Sequence, residues 1–230
     1  MTGRRLIDLS TPVTTGHFRW PVERRLAKAH APGAPGQSTW AGWNVHGFTH
    51  MDSPRHVDPE GFTTDAVSLD MTVGEAAILD LSHLPENEGI TAAQMAAAGA
   101  HLRPGDIAIL KTRWDERADI ATPAFWTRAP WVTDDAAQWL RGSGIKAIGF
   151  DFPQDHCIRQ LVLGGPMAPL EEQPTHWHLL KLGGIIMFEY LRNTGALRLP
   201  RSLVVALPIR LPDSDGAPAR VIAIEEGEGA

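Results

Sequence analysis

Val45-His46-Gly47-Phe48-Thr49-His50-Met51-Asp52-Ser53-Pro54-Arg55-His56-Val57 is the stretch that decides how this chain is read. Ten histidines spread evenly over 230 residues would fall about one in every 23, yet three stand here within eleven positions. The spacing is His-x3-His-x-Asp-x3-His. Imidazole with carboxylate is a donor set that Zn, Mn or Fe(II) accepts. Gly47, Ser53 and Pro54 argue against a continuous helix through it. On an extended strand His46, His50, Asp52 and His56 share a face, but His46 and His50 then lie ~13 Å apart. The segment must therefore bend, or serve two adjacent metals. His50 and Asp52, two apart on one face, converge most easily.

A second place offers the same chemistry. Pro174-Thr175-His176-Trp177-His178 precedes Ile185-Ile186-Met187-Phe188-Glu189-Tyr190-Leu191. A carboxylate in such apolar company is paired, protonated or on a metal. The structural alternative for Glu189 is an ion pair with Arg192. His176 or His178 can supply the late imidazole. His17, His30, His83 and His101 read as ordinary solvated or hydrogen-bonded side chains. Cys157 beside His156 is a poor nucleophile pair, because adjacent side chains diverge on a strand. No G-x-S-x-G elbow, P-loop or G-x-G-x-x-G is present.

Outside these segments the chain reads as an ordinary globular protein. It is 43% hydrophobic and 21% charged, with net charge −6. That acidic excess argues against nucleic acid or an anionic membrane as partner. A single cysteine excludes a disulfide framework and a C-x-x-C zinc site. The N-terminus is a poor signal peptide, no stretch reaches the ~20 apolar residues of a spanning helix, and a cytoplasmic protein is expected.

Leu6–Leu9, Ile78–Leu81, Ile107–Leu110, Ile145–Phe150, Ile185–Phe188, Leu203–Leu207 and Val221–Ile224 read as strands. Thr91 and Thr133 stand as N-caps before helices over 91–100 and 134–140. His176–Leu182 reads as helix. Segment 16–45, rich in Gly, Pro and Trp, reads as a long irregular arm. Residues 1–230 read as one domain, α/β or α+β with a mixed β-sheet.

The run His46 to His56 resembles the signature of the cyclase-like metal hydrolases, a family that includes bacterial kynurenine formamidase and isatin hydrolase. The signature is approximately His-x-Gly-Thr-His-x-Asp-x-Pro-x-His. Thr49, His50, Asp52, Pro54 and His56 match, while Gly47 stands one place early. Ile7-Asp8-Leu9-Ser10, Trp20-Pro21, Pro104-Gly105-Asp106 with Lys111-Thr112, and His176 through Leu191 extend the resemblance over most of the chain.

The resemblance implies an α/β fold of the swivelling β/α/β type. It implies one or two divalent metals, Zn or Mn, on His46, His50, Asp52, His176 and Glu189, with His56 as acid/base. Trp20 matches an aromatic residue that packs on substrate. Apart from the resemblance, Phe48, with Arg55 and the arm over 16–45, is expected to shape the substrate site. The family spacing from late histidine to glutamate is twelve residues. His176 stands thirteen before Glu189 and His178 eleven; Leu179-Leu180 favours His176, with an extra residue near Gly183-Gly184. The implied function is hydrolysis of a small amide, cyclic or N-formyl, by a homodimer or homotetramer. The alternatives are a metal-dependent cyclase, dehydratase or lyase acting beside a carbonyl, and a non-catalytic metal or ligand-binding protein.

Overall fold

A computed structural model describes residues 3–226. Twelve strands form in chain order: β1 (Arg4–Asp8), β2 (Glu23–Lys28), β3 (Ser38–Gly42), β4 (His50–Asp52), β5 (Val73–Asp80), β6 (Gly89–Ile90), β7 (Ile107–Lys111), β8 (Trp131–Val132), β9 (Ala147–Phe150), β10 (Ile186–Glu189), β11 (Arg201–Pro208) and β12 (Gly216–Glu226). The principal sheet runs β1-β12-β11-β5-β7-β9-β10-β4, and β4 pairs again with β12. Seven strands thus close into a ring, with β1 laid beside the far end of β12. The β5–β7, β7–β9 and β9–β10 pairs are parallel; the others are antiparallel. The fold is mixed α/β around a closed mixed sheet.

Strand alternation builds two apolar layers. Ile78, Ile107, Ile109, Ile186, Phe188, Val204 and Val221 point into the ring. Leu79, Leu110, Ile148 and Met187 point outward, against Met95, Ala136, Ala137 and Leu140 of helices Ala92–Ala98 and Asp134–Gly142. Strands buried on both faces read as unbroken apolar runs, which is why they are legible in sequence. Thr91 accepts from the Gln94 N–H and Gln94 returns the bond, a capping box. Thr133 sits at the N-cap position but gives its hydroxyl to the Ile90 carbonyl instead. Among the described residues no helix is long and apolar enough to cross a membrane.

Two sequence expectations change. The arm over 16–45 is not wholly irregular: β2 and β3 form an antiparallel hairpin, nearly every residue of which is exposed. The segment after Thr175 is a π-helical turn, His176–Lys181, rather than an α-helix. Each π-type ring closes over one residue more than an α-helical ring. The Leu182 N–H accordingly reaches the Trp177 carbonyl, 3.0 Å away.

Asp151, just past β9, is fully buried. It accepts from the backbone N–H groups of Thr112 and Arg113 and from the hydroxyls of Thr112 and Thr194. Burial pushes its pKa up to about 6, against those hydrogen bonds. The folded state therefore holds this proton longer than the unfolded chain. Its contribution to stability is full below pH ~4 and lost as pH rises through ~6, on the order of 2–3 kcal/mol. Comparing urea unfolding of the wild type and Asp151→Asn at pH 4.5 and 7 should show this slope only in the wild type. Equal slopes would remove Asp151 as its source.

Candidate metal centre

Strand β4 is the foundation of the site. His50 and Asp52 share one face, and Met51 between them points into the ring core. On one side β10 sets Glu189 opposite His50; on the other β12 sets Gly216 opposite Asp52. A Cβ on Gly216 would stand 2.6 Å from Cε1 of His46, so only glycine leaves that ring its place. The bend required by the spacing is real. It lies at Phe48, whose φ is +61°, after a turn in which the Gly47 N–H meets the Asn44 carbonyl. A 3-10 turn, Pro54–His56, then brings His56 back. The His46 ring ends 5.3 Å from that of His50 and 4.0 Å from that of His56.

The donor atoms converge. His46 Nδ1 lies 2.7 Å from Asp52 Oδ1, and His50 Nε2 lies 3.2 Å from the same oxygen. His176 Nε2 is 3.9 Å from Asp52 Oδ2 and 3.8 Å from Glu189 Oε1. His50 donates from Nδ1 to the Phe48 carbonyl at 2.8 Å, which leaves its Nε2 to face the centre. That Nε2 is buried and has no hydrogen-bond partner among the described residues. His176 is held likewise: Nδ1 meets Asp155 Oδ2 at 2.6 Å, leaving Nε2 to face Asp52 and Glu189. An imidazole fixed at one nitrogen and free at the other is how metal-binding histidines are oriented. Three overlapping groups of donors can each hold an ion: His46, His50 and Asp52; Asp52, His56 and His176; and His46, His56 and Asp215. The residues fit a divalent cation.

Without an ion, these charges settle on one another. Burial opposes charge on both Asp52 and His46. The surrounding histidines nevertheless hold Asp52 well below the usual carboxylate range. Asp52 and Asp215 lift His46 to about 9. His176 also rises to about 9, Asp155 outweighing its burial. His56 differs, because burial keeps it below the ordinary histidine value despite the pull of Asp52.

The other sequence candidates separate. His178 turns away and pairs with Asp134 at 2.7 Å. His156, the neighbour of Cys157, packs on Trp131, ring centroids 4.3 Å apart. Glu189 does not pair with Arg192; it accepts from Gln154. Trp20 lines a cavity of about 390 Å³ together with the clustered histidines, Tyr190 and Cys157. Phe48 is 1% exposed and stands behind Trp20, ring centroids 5.0 Å apart, so its ring backs the cavity wall instead of forming it. Burial raises the Cys157 thiol to about 11, which keeps it neutral. A larger cleft of about 530 Å³, by Asp115 and Arg192, holds no histidine.

Sequence reasoning missed Asp215, Asp155, Gln154 and Arg19. Asp215 meets His46 Nε2 at 2.9 Å and His56 Nδ1 at 3.4 Å. Asp155 also receives the Thr175 N–H and hydroxyl. Asp155→Asn should lower metal affinity by about 10–100-fold, measured by competition with a chromogenic chelator. Unchanged affinity would mean that the π-helical turn alone orients His176.

Comparison with known proteins bears on this arrangement. The family described as a putative cyclase matches residues 7–154. This chain belongs to that family. The cyclase-family chain is 29% identical to cyclase-like protein 1 of Arabidopsis thaliana, over 97% of its own length and 86% of the relative's. It is 27% identical to a kynurenine formamidase of Bacillus cereus, over 94% and 95%. Among solved structures, a potential metal-dependent hydrolase with cyclase activity superposes with TM-score 0.74 at 26% identity, covering 98% of this chain and 100% of that one. An isatin hydrolase bound to a product analogue, thioisatinate, gives 0.77 at 19% identity over 97% and 93%. At that identity the second likeness is one of fold.

Proposed function

We propose that this cyclase-family protein is a metal-dependent hydrolase of a small amide, cyclic or N-formyl. The observation that carries the reading is the buried Nε2 of His50, without a hydrogen-bond partner among the described residues and 3.2 and 3.8 Å from carboxylate oxygens of Asp52 and Glu189. His46, His50, Asp52, His176 and Glu189 are the residues to hold one or two ions, Zn or Mn, since imidazole with carboxylate suits both. A divalent ion bound there acidifies water and polarises an amide carbonyl. His56 takes the proton from the attacking water and returns it to the leaving nitrogen. Asp215 steadies the His56 ring from Nδ1. Gln154 fixes the carboxylate of Glu189. Trp20, backed by Phe48, offers a flat wall to a planar substrate, and a cavity of about 390 Å³ suits a small molecule.

The two apolar layers, ring interior and sheet against helices, support reading the fold as the swivelling β/α/β type. The exposed β2–β3 hairpin, with Leu26 56% and Trp40 40% exposed, supports assembly as a homodimer or homotetramer. Light scattering that finds only a monomer would refute it. A cytoplasmic location remains our reading of the sequence.

Removing metal with a chelator should abolish amide hydrolysis, and Zn or Mn should restore it. Activity that survives in metal-free protein would sink the proposal. Cyclisation or elimination beside a carbonyl is the rival use of the same centre. Turnover in ¹⁸O-water separates them, because only hydrolysis carries solvent oxygen into product.

A further inference from the structure

Arg19 stands on the wall of the cavity that holds the metal cluster, beside Trp20 and Tyr190. Its backbone is pinned there. His17 Nδ1 accepts the N–H groups of both Arg19 and Trp20 at 3.2 Å, while Nε2 donates to the Ile120 carbonyl at 2.9 Å. That pattern needs a neutral imidazole, and burial holds the His17 pKa down. The His17 ring stacks on Trp20 at 4.5 Å, and the Arg19 guanidinium lies over Trp126 at 4.4 Å. Backbone and side chain are therefore both set before any ligand arrives.

The cation so placed lacks an anion. Arg4, Arg5, Arg113, Arg128, Arg201 and Arg220 carry ion pairs. Arg19 pairs with no carboxylate among the described residues, and its Nη1 is buried without a hydrogen-bond partner. A buried donor left unmade is costly, more so on a charged group. Planar guanidinium is the side chain best matched to a carboxylate, and stacking on an aromatic ring keeps its fork oriented. Asp52 and Glu189, the acids on the same cavity, face the histidines instead.

We infer that the substrate carries a carboxylate and that Arg19 is the specificity residue that receives it, with the planar part of the substrate against Trp20. The inference takes the reacting group, an amide, from the proposed function; the charge it assigns stands on Arg19 alone.

The test uses metal-loaded full-length protein and two pairs of probes. Titration calorimetry compares benzoate with benzamide. Benzoate should bind at least about tenfold tighter, and Arg19→Met should remove that preference while Arg19→Lys keeps part of it. Arg19→Gln gives the same reading should the methionine variant fail to fold. Benzoate affinity unchanged in the neutral variants would mean that the carboxylate goes to the metal, and would overturn the inference. So would equal affinity for benzoate and benzamide in the wild type.

In parallel, kcat/KM for 4-formamidobenzoate over formanilide should fall from about tenfold or more to about unity in Arg19→Met. A ratio that persists in the variant counts against Arg19. Should neither amide be hydrolysed while benzoate binding still depends on Arg19, the amide-hydrolase reading fails and the anion site stands.

Discussion

Asp52→Ala is expected to strip the centre of metal and to lower amide hydrolysis by ~10³-fold or more, the scale on which a bound ion activates water. Asp52 is the common neighbour of the donors. One of its oxygens meets His46 and His50, and the other faces His176. No other single side chain among the described residues touches as many of the expected ligands. Elemental mass spectrometry on protein purified without chelator, beside a His50→Ala, Asp52→Ala double variant, reads the effect directly. One or two ions per chain in the wild type and none in the variants is the expected result. A variant that retains full metal would place the centre elsewhere.

His56→Ala is expected to do the opposite: keep the metal and lose ~10²–10⁴-fold in kcat, the usual contribution of a positioned general acid/base. His56 differs from the other clustered histidines in two ways. Its ring is 30% exposed, whereas His50 is closed off, and it meets Asp215 at 3.4 Å instead of a buried carboxylate. Partial desolvation, with His46 and His176 beside it, also keeps its pKa below that of an ordinary histidine, which leaves it ready to accept a proton at neutral pH. Metal content and single-turnover rate measured on the same preparation separate the two roles. Loss of metal with this change would make His56 a ligand and leave the proton transfer without an owner.

What the sequence disclosed and withheld follows from how far apart the interacting residues lie. Ile107–Leu110 and Ile145–Phe150 announce themselves because strands buried on both faces have no polar positions to break the run. The β2–β3 hairpin does not, because both of its faces are exposed and its side chains show no alternation. His46, His50, Asp52 and His56 are visible as a cluster because they are local. Asp215 and Asp155 are invisible, since each is an acid in a loop and meets its histidine across 159 and 21 positions. Only the closed sheet brings them in. The π-helical turn is hidden for another reason: nothing in the composition of His176–Lys181 tells an i+5 ring from an i+4 one. Arg19 looks like any arginine until its want of an acidic partner among the described residues is seen.

Strand β4 is three residues long, yet it is the piece that closes the ring, hydrogen-bonded to β10 on one edge and to β12 on the other. The same three residues present His50 and Asp52 to the centre. Cargo and keystone are therefore one element. An ion gripped by His50 and Asp52 would hold the seam shut, and by linkage a loosened seam would release the ion. The amides of Met51 and Ser53 become reporters of occupancy: their hydrogen exchange should slow on loading, while exchange in the β5–β7 wall stays as it was.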